Sequence, residues 1–103
     1  MLVVTVLYPN EEGTKFDMGY YLDHHIPLVR RLLTPALKGV TVQQGVSGER
    51  AGSPPHYIAI CHLLFESSEE YEASFAPHAA EIVADVPKYT DSKPLVQLGK
   101  SMM

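Results

Sequence analysis

A chain of 103 residues is long enough for one domain with a single core and little surplus, because domains of this size bury only about 60–70% of their unfolded surface. With 46% hydrophobic residues, 19% charged residues and a formal net charge of −4, the composition is that of a soluble globular protein. The acidity and the lack of any Lys/Arg run interleaved with aromatics argue against a nucleic-acid partner, and no window approaches the roughly 18–20 apolar residues of a membrane span.

The N-terminal residues Met1 to Val4 carry no basic region, and the apolar run that follows is interrupted by Thr5 and closed by Tyr8-Pro9, so a secretory leader is not expected. The single Cys61 has no partner for an internal disulfide, which fits a reducing cytoplasm. Residues 2–8, LVVTVLY, form a β-branched run that predicts a first strand, apolar on both faces. A polar loop with Gly13 leads to Asp17, a natural N-cap whose carboxylate suits both the orphan N–H groups and the positive end of a helix dipole.

A helix is predicted from about Met18 to Leu33. At 100° per residue, Met18, Tyr21, Leu22, His25, Leu28, Val29 and Leu32 share one face, with His25 near its centre. His24 falls about 100° away on the flank, and of Tyr20 and Tyr21 only Tyr21 shares the His25 face. Pro27 removes a backbone donor and biases Ile26 away from the α region, so a kink or restart is expected there, with a carbonyl near Asp23 left free. Thr34-Pro35 ends the helix.

Residues 40–46 alternate and predict a second strand with Val40, Val42, Gln44 and Val46 on one side. The stretch from Ser47 to Pro55, rich in Gly, Ser and Pro, is the longest connection and the expected mobile loop. Residues 57–65, YIAICHLLF, predict a third strand, apolar on both faces except for His62. Ser67 to Glu70 reads as a capping box opening a second helix at Ser68, along which Tyr71, Phe75, His78, Ala79 and Ile82 recur on one side. Pro77 interrupts that helix, Asp85-Val86-Pro87 ends it, and Pro94 to Lys100 supplies a last short strand.

The order is therefore β-α-β-β-α-β. Two helices cover one face of a four-stranded sheet, yet the first and third strands are greasy on both, so a second copy packed through a two-fold axis is expected to cover the other face as a homodimer.

Several short pieces carry a resemblance to a known family. They are Tyr8-Pro9, Phe16-Asp17 followed by Tyr20-Tyr21, His25-Ile26-Pro27-Leu28, Phe65-Glu66-Ser67, and Asp85-Val86-Pro87-Lys88-Tyr89-Thr90 followed by Pro94 and Gln97. In this order and at these spacings the chain resembles the EthD family, named for ethyl tert-butyl ether degradation, nearly end to end. The resemblance implies an α+β, ferredoxin-like βαββαβ subunit with a four-stranded antiparallel sheet, assembled as a homodimeric α/β barrel. It also singles out His25, since His-x-Pro is the matching pattern. Accessory roles in oxidative degradation are implied, and the wider superfamily includes cofactor-free monooxygenases, dehydratases and lactone isomerases.

A neutral imidazole on an apolar face can act as a general acid or base near neutral pH; it can equally be a packed core histidine donating to the carbonyl that Pro27 frees. His62 shares a strand face with Ile58, Ile60 and Leu64, opposite Tyr57, Ala59, Cys61, Leu63 and Phe65. If that face meets the helices, His25, His62, His78 and Tyr21 form one polar cluster in an apolar pocket; if not, His62 lies in the dimer interface. The cluster lacks metal-ligand spacings, so no metal is expected, and no phosphate loop, dinucleotide fingerprint or serine elbow calls for a cofactor. Asp85 and Tyr89 read as turn and capping residues, and Cys61 as an inert core thiol.

These expectations support three functions. The first is a protein that binds a small hydrophobic metabolite, aromatic or lactone-like, and transforms it by histidine acid–base chemistry without a cofactor. The second is a non-catalytic accessory protein that holds such an intermediate for a partner oxygenase, and the third a purely structural interaction module.

Overall fold

A computed structural model describes residues 1–103. Strand β1 (Leu2–Pro9) lies inside a four-stranded sheet of order β2-β3-β1-β4, with β2 Gly39–Gln44, β3 Tyr57–Phe65 and β4 Leu95–Lys100. Every pairing is antiparallel, and with two helical segments the topology is ferredoxin-like. The second strand stops at Gln44, short of the predicted Val46, which is 89% exposed. At Gly45 the backbone passes so close to the Tyr57 carbonyl and Pro55 that no Cβ fits, and its N–H still bonds the Ile58 carbonyl at 2.7 Å before the chain turns into the loop.

Alternation along the strands separates two faces. Val4 and Tyr8 of β1, with Ala59, Cys61, Leu63 and Phe65 of β3, are buried under the helices and form the core with Val29, Leu33 and Ile82. The opposite face carries Ile58, Ile60, His62 and Leu64 of β3, all only half-buried, and no helix covers it.

The first helical segment has three parts: α1 (Met18–Tyr20), a π-helical turn over Tyr21–His25, and α2 (Ile26–Leu33). Asp17 caps it as expected, its Oδ1 accepting from the Tyr20 N–H at 3.0 Å. The break attributed to Ile26-Pro27 lies instead in the preceding turn. Ile26 keeps helical angles (φ −62°, ψ −44°), and its N–H reaches back five residues to the Tyr21 carbonyl. A widened turn makes room for the proline ring, and Pro27 then sits in the first turn of α2, where a missing N–H costs little.

The second segment comprises α3 (Ser68–Phe75), a 3-10 turn over Ala76–His78 around Pro77, α4 (Ala79–Asp85) and a final 3-10 turn over Val86–Lys88. Ser67 Oγ accepts from the Glu70 N–H at 3.1 Å, the first half of the expected capping box. The start of one segment is tied to the end of the other. Phe16 bridges Thr90, the Asp17 N–H donates to the Tyr89 carbonyl at 2.7 Å, and the Thr90 hydroxyl donates to the Lys15 carbonyl at 2.6 Å. These bonds set Tyr20, Tyr21 and His25 against Asp85 and Tyr89. No helix is long and apolar enough to cross a membrane.

Candidate functional site

Tyr8 enters from β1, where its alternation with Val4 and Val6 points it under the helices. There its ring meets Phe16 and Tyr21 edge-on at centroid distances of 5.2 and 5.6 Å, and its hydroxyl bonds the Tyr89 hydroxyl at 2.7 Å. Edge-to-face contacts of this kind suit the aromatic quadrupole, so the rings form a stiff floor. His25 lies on that floor, its ring stacked on Tyr21 (5.7 Å, 15°) and tilted over Tyr89 (4.7 Å).

The imidazole is 4% exposed, and its Nδ1 lies 2.8 Å from Oδ2 of Asp85, itself only 7% exposed. The other carboxylate oxygen, Oδ1, accepts from the Tyr20 hydroxyl at 2.8 Å and faces Lys88 Nζ at 3.7 Å. Burial lowers the affinity of His25 for a second proton, and the Asp85 hydrogen bond and charge oppose that only in part. For Asp85, burial would raise the pKa, but the hydrogen bonds from His25 and Tyr20 and the nearby positive groups outweigh it and hold the carboxyl below its usual range. The pair is therefore a neutral imidazole beside an ionised carboxylate, with Nδ1–H donating to Asp85. Nε2 is left bare. No side chain bonds Nε2, and His25 lines a cavity.

The cavity is apolar, encloses about 120 Å³ and lies between the sheet and the helices. Fifteen of its seventeen lining residues are hydrophobic, and none is Lys, Arg, Asp or Glu. Val29, Ile82, Val86 and Val96 make up much of the wall, and Tyr8, Tyr21, Tyr71, His25 and Cys61 are the lining side chains that carry a polar group. Burial first, then neighbouring Cys61 and Tyr8, pushes the Tyr21 phenol far up, so it stays a hydrogen-bond donor at any physiological pH. Cys61 lines the same cavity as a buried free thiol whose pKa burial raises, in keeping with an inert role.

Of the four residues grouped by sequence, the structure brings two together. His62 pairs with Thr5 across the β1–β3 ladder on the uncovered sheet face, its Nδ1 3.1 Å from Thr5 Oγ1. The period-two alternation that buries Cys61 and Leu63 turns His62 away from the helices. His78 belongs to the 3-10 turn at Pro77 and borders a separate shallow groove with Thr34, Pro35 and Lys38, because the tightened turn swings it off the Ile82 face. His24 is exposed and stacks on Tyr20 at 4.9 Å.

Asp85, Tyr89, Tyr8 and Tyr20 are what the sequence reading undervalued. Asp85 follows Ile82 by three residues, hence on the buried side of its helix, and a carboxylate placed there needs a partner. No group of three or more His, Cys, Asp or Glu side chains is arranged to hold a metal ion.

The EthD-domain family model matches residues 12–93. An EthD-like protein from Ralstonia eutropha has a crystal structure that matches with a TM-score of 0.95 at 37% identity, covering 99% of this chain and 92% of that one. An uncharacterised 11.0 kDa protein encoded between thcB and thcC in Rhodococcus erythropolis is 30% identical over 90 residues, 86% of this chain and 84% of its own length. The fold extends to SnoaB, a cofactor-independent oxygenase from Streptomyces nogalater, with a TM-score of 0.64 at 8% identity over 99% of this chain and 92% of that one. The Tyr20-Tyr21, His25-x-Pro27 and Asp85–Thr90 pieces, which include the cavity-lining Tyr21, His25 and Val86, fall within the matched span, and the chain belongs to the EthD family.

Proposed function

We propose that the cavity binds a small uncharged molecule, a single-ring aromatic or a lactone of similar size, and that His25 exchanges a proton with it. The observation that carries this reading is the 2.8 Å bond between His25 and Asp85, which leaves the free ring nitrogen beside an apolar cavity. A dry apolar cavity of roughly 150 Å³ holds benzene. At about 120 Å³ this one accommodates a ligand of about one ring, and the lack of charged lining residues favours a neutral one. Nε2 takes a proton from an acidic O–H or from a C–H next to a carbonyl, and the protonated Tyr21 phenol supports negative charge that develops on the ligand. Asp85 orients the ring and stabilises the imidazolium that forms. Such chemistry needs no cofactor.

The same reading includes a homodimer through the open sheet face. There Leu7, Ile58, Ile60 and Leu64 leave apolar surface, and the register sets Thr41, His62, Thr5 and Gln97 in one row across all four strands. His62 then belongs to the subunit interface.

A native mass-spectrometric screen of phenols and lactones identifies the ligand, and His25→Gln separates catalysis from binding. Glutamine keeps an N–H donor for Asp85 and much of the volume. Turnover should fall by about 10²–10⁴-fold with binding retained. Turnover unchanged by the substitution removes His25 from the chemistry. Binding without turnover in the unsubstituted protein favours an accessory role, in which the pocket holds an intermediate for an oxygenase.

A further inference from the structure

We infer that Tyr20 is a positioning residue, which fixes through Asp85 which nitrogen of His25 carries the proton. This rests on the reading of His25 as the proton-exchanging group. Tyr20 lies outside the cavity, and its hydroxyl donates to Oδ1 of Asp85 at 2.8 Å while His25 holds Oδ2 at the same distance. One carboxylate is thus gripped by two side chains five residues apart on the same segment.

A regular helix does not allow that grip. Five residues at 100° place two side chains about 140° apart, which is why the helical reading turned Tyr20 away from His25. The π turn over Tyr21–His25 lengthens the repeat from four residues to five, as the Ile26 N–H to Tyr21 carbonyl bond shows, and brings Tyr20 and His25 onto one side. The turn that accommodates Pro27 therefore also builds the clasp.

What the clasp adds is direction. A carboxylate has two equivalent oxygens, but the groove side of Asp85 meets one hydrogen-bond donor, the Tyr20 hydroxyl, and the more distant charge of Lys88 at 3.7 Å. The oxygen on the cavity side is left to accept from Nδ1–H, which keeps Nε2 bare toward the ligand. The other groups around the pair are Tyr21 and Tyr89 against the ring, and His24, Arg31 and Glu81 along the outer groove that Asp85 borders.

Replacing the carboxylate with an amide reads out this direction. In Asp85→Asn, the Tyr20 O–H holds the amide oxygen on the groove side, the exposed Lys88 at 3.7 Å being beyond hydrogen-bond reach, so the NH₂ group faces Nδ1. The imidazole must then accept there and carry its proton on Nε2, the wrong tautomer for a base. Adding Tyr20→Phe frees the amide to turn over, present its oxygen to Nδ1–H and restore the original tautomer. A residue that merely packs against Asp85 does not produce such a reversal.

Nitrogen-15 chemical shifts of the His25 ring, measured at neutral pH in the ligand-free protein, test this. The expected series is Nδ1–H in the unsubstituted protein, mainly Nε2–H in Asp85→Asn, and mainly Nδ1–H again in the double variant. Any other pattern in the two variants overturns the role of Tyr20. An Nε2–H tautomer or an imidazolium in the unsubstituted protein instead overturns the reading of His25. Should Asp85→Asn not fold, Tyr20→Phe alone decides: freed of one donor, Asp85 holds the imidazolium more strongly, and the His25 midpoint rises by about half a pH unit. An unmoved midpoint then counts against the clasp.

Discussion

His25 and Asp85 are each shifted in the direction that favours the neutral–ionised pairing, and this has a consequence for stability. In the unfolded chain His25 binds a proton below about pH 6.5, whereas the folded chain resists until lower pH. Between those two values the unfolded state carries more protons, so stability falls as pH falls. Asp85 repeats the pattern further down. Its folded pKa lies below the unfolded value of about 3.9, so its contribution is present above that pH and is lost as acid protonates the folded carboxyl. Urea unfolding between pH 7.5 and 5 should therefore show a steeper loss in the unsubstituted protein than in His25→Gln, which has no imidazole to titrate. Identical profiles would mean that His25 is not held neutral by its burial.

At the scale of elements, the sequence was legible wherever a single period governed. Alternation in YIAICHLLF placed Cys61 and His62 on opposite faces, and the Asp17 and Ser67 caps sit where side-chain oxygens before helical runs put them. What escaped was the join between periods. A strict 100° wheel assigned Tyr21 and His25 correctly because they are four apart, but it misplaced Tyr20, since one extra residue per turn is invisible to a pattern of apolar spacings. For His78 the wheel failed in the other sense, through the tightened 3-10 turn. The partnership of Asp85 with His25 spans 60 positions, and the links between residues 15–17 and 89–90 reveal why they meet. Removing the exposed Asp23 should convert the π turn to regular helix and set Tyr20 four residues before His25, which at about 100° per residue keeps the two on one side. The Tyr20–Asp85 and His25–Asp85 bonds should then both stay, visible as Tyr20 and His25 ring resonances close to those of the unsubstituted protein. Loss of the Tyr20 bond in the deletion variant would show that the clasp needs more than the phase the π turn sets.

The whole molecule presents a sheet with one face under helices and the other open. The open face carries Ile58, Ile60 and Leu64 beside a row of Thr41, His62, Thr5 and Gln97, a mixture suited to a wetted, directional interface more than to a fully apolar one. Ile60→Lys puts a charge in the middle of that face without touching the cavity on the other side. Sedimentation at micromolar concentration should give a dimer for the unsubstituted protein and a monomer for the variant; a monomer in both would refute assembly through the sheet.

The proposed chemistry stands on a neutral ligand meeting the bare nitrogen of His25 inside the apolar cavity. Mapping of chemical shifts during titration with single-ring phenols and lactones tests that most directly. Saturable changes should centre on the His25 and Tyr21 rings and the methyl groups of Val29 and Ile82. Saturable changes confined to the open sheet face or the outer groove, with the His25 ring unmoved, would contradict it.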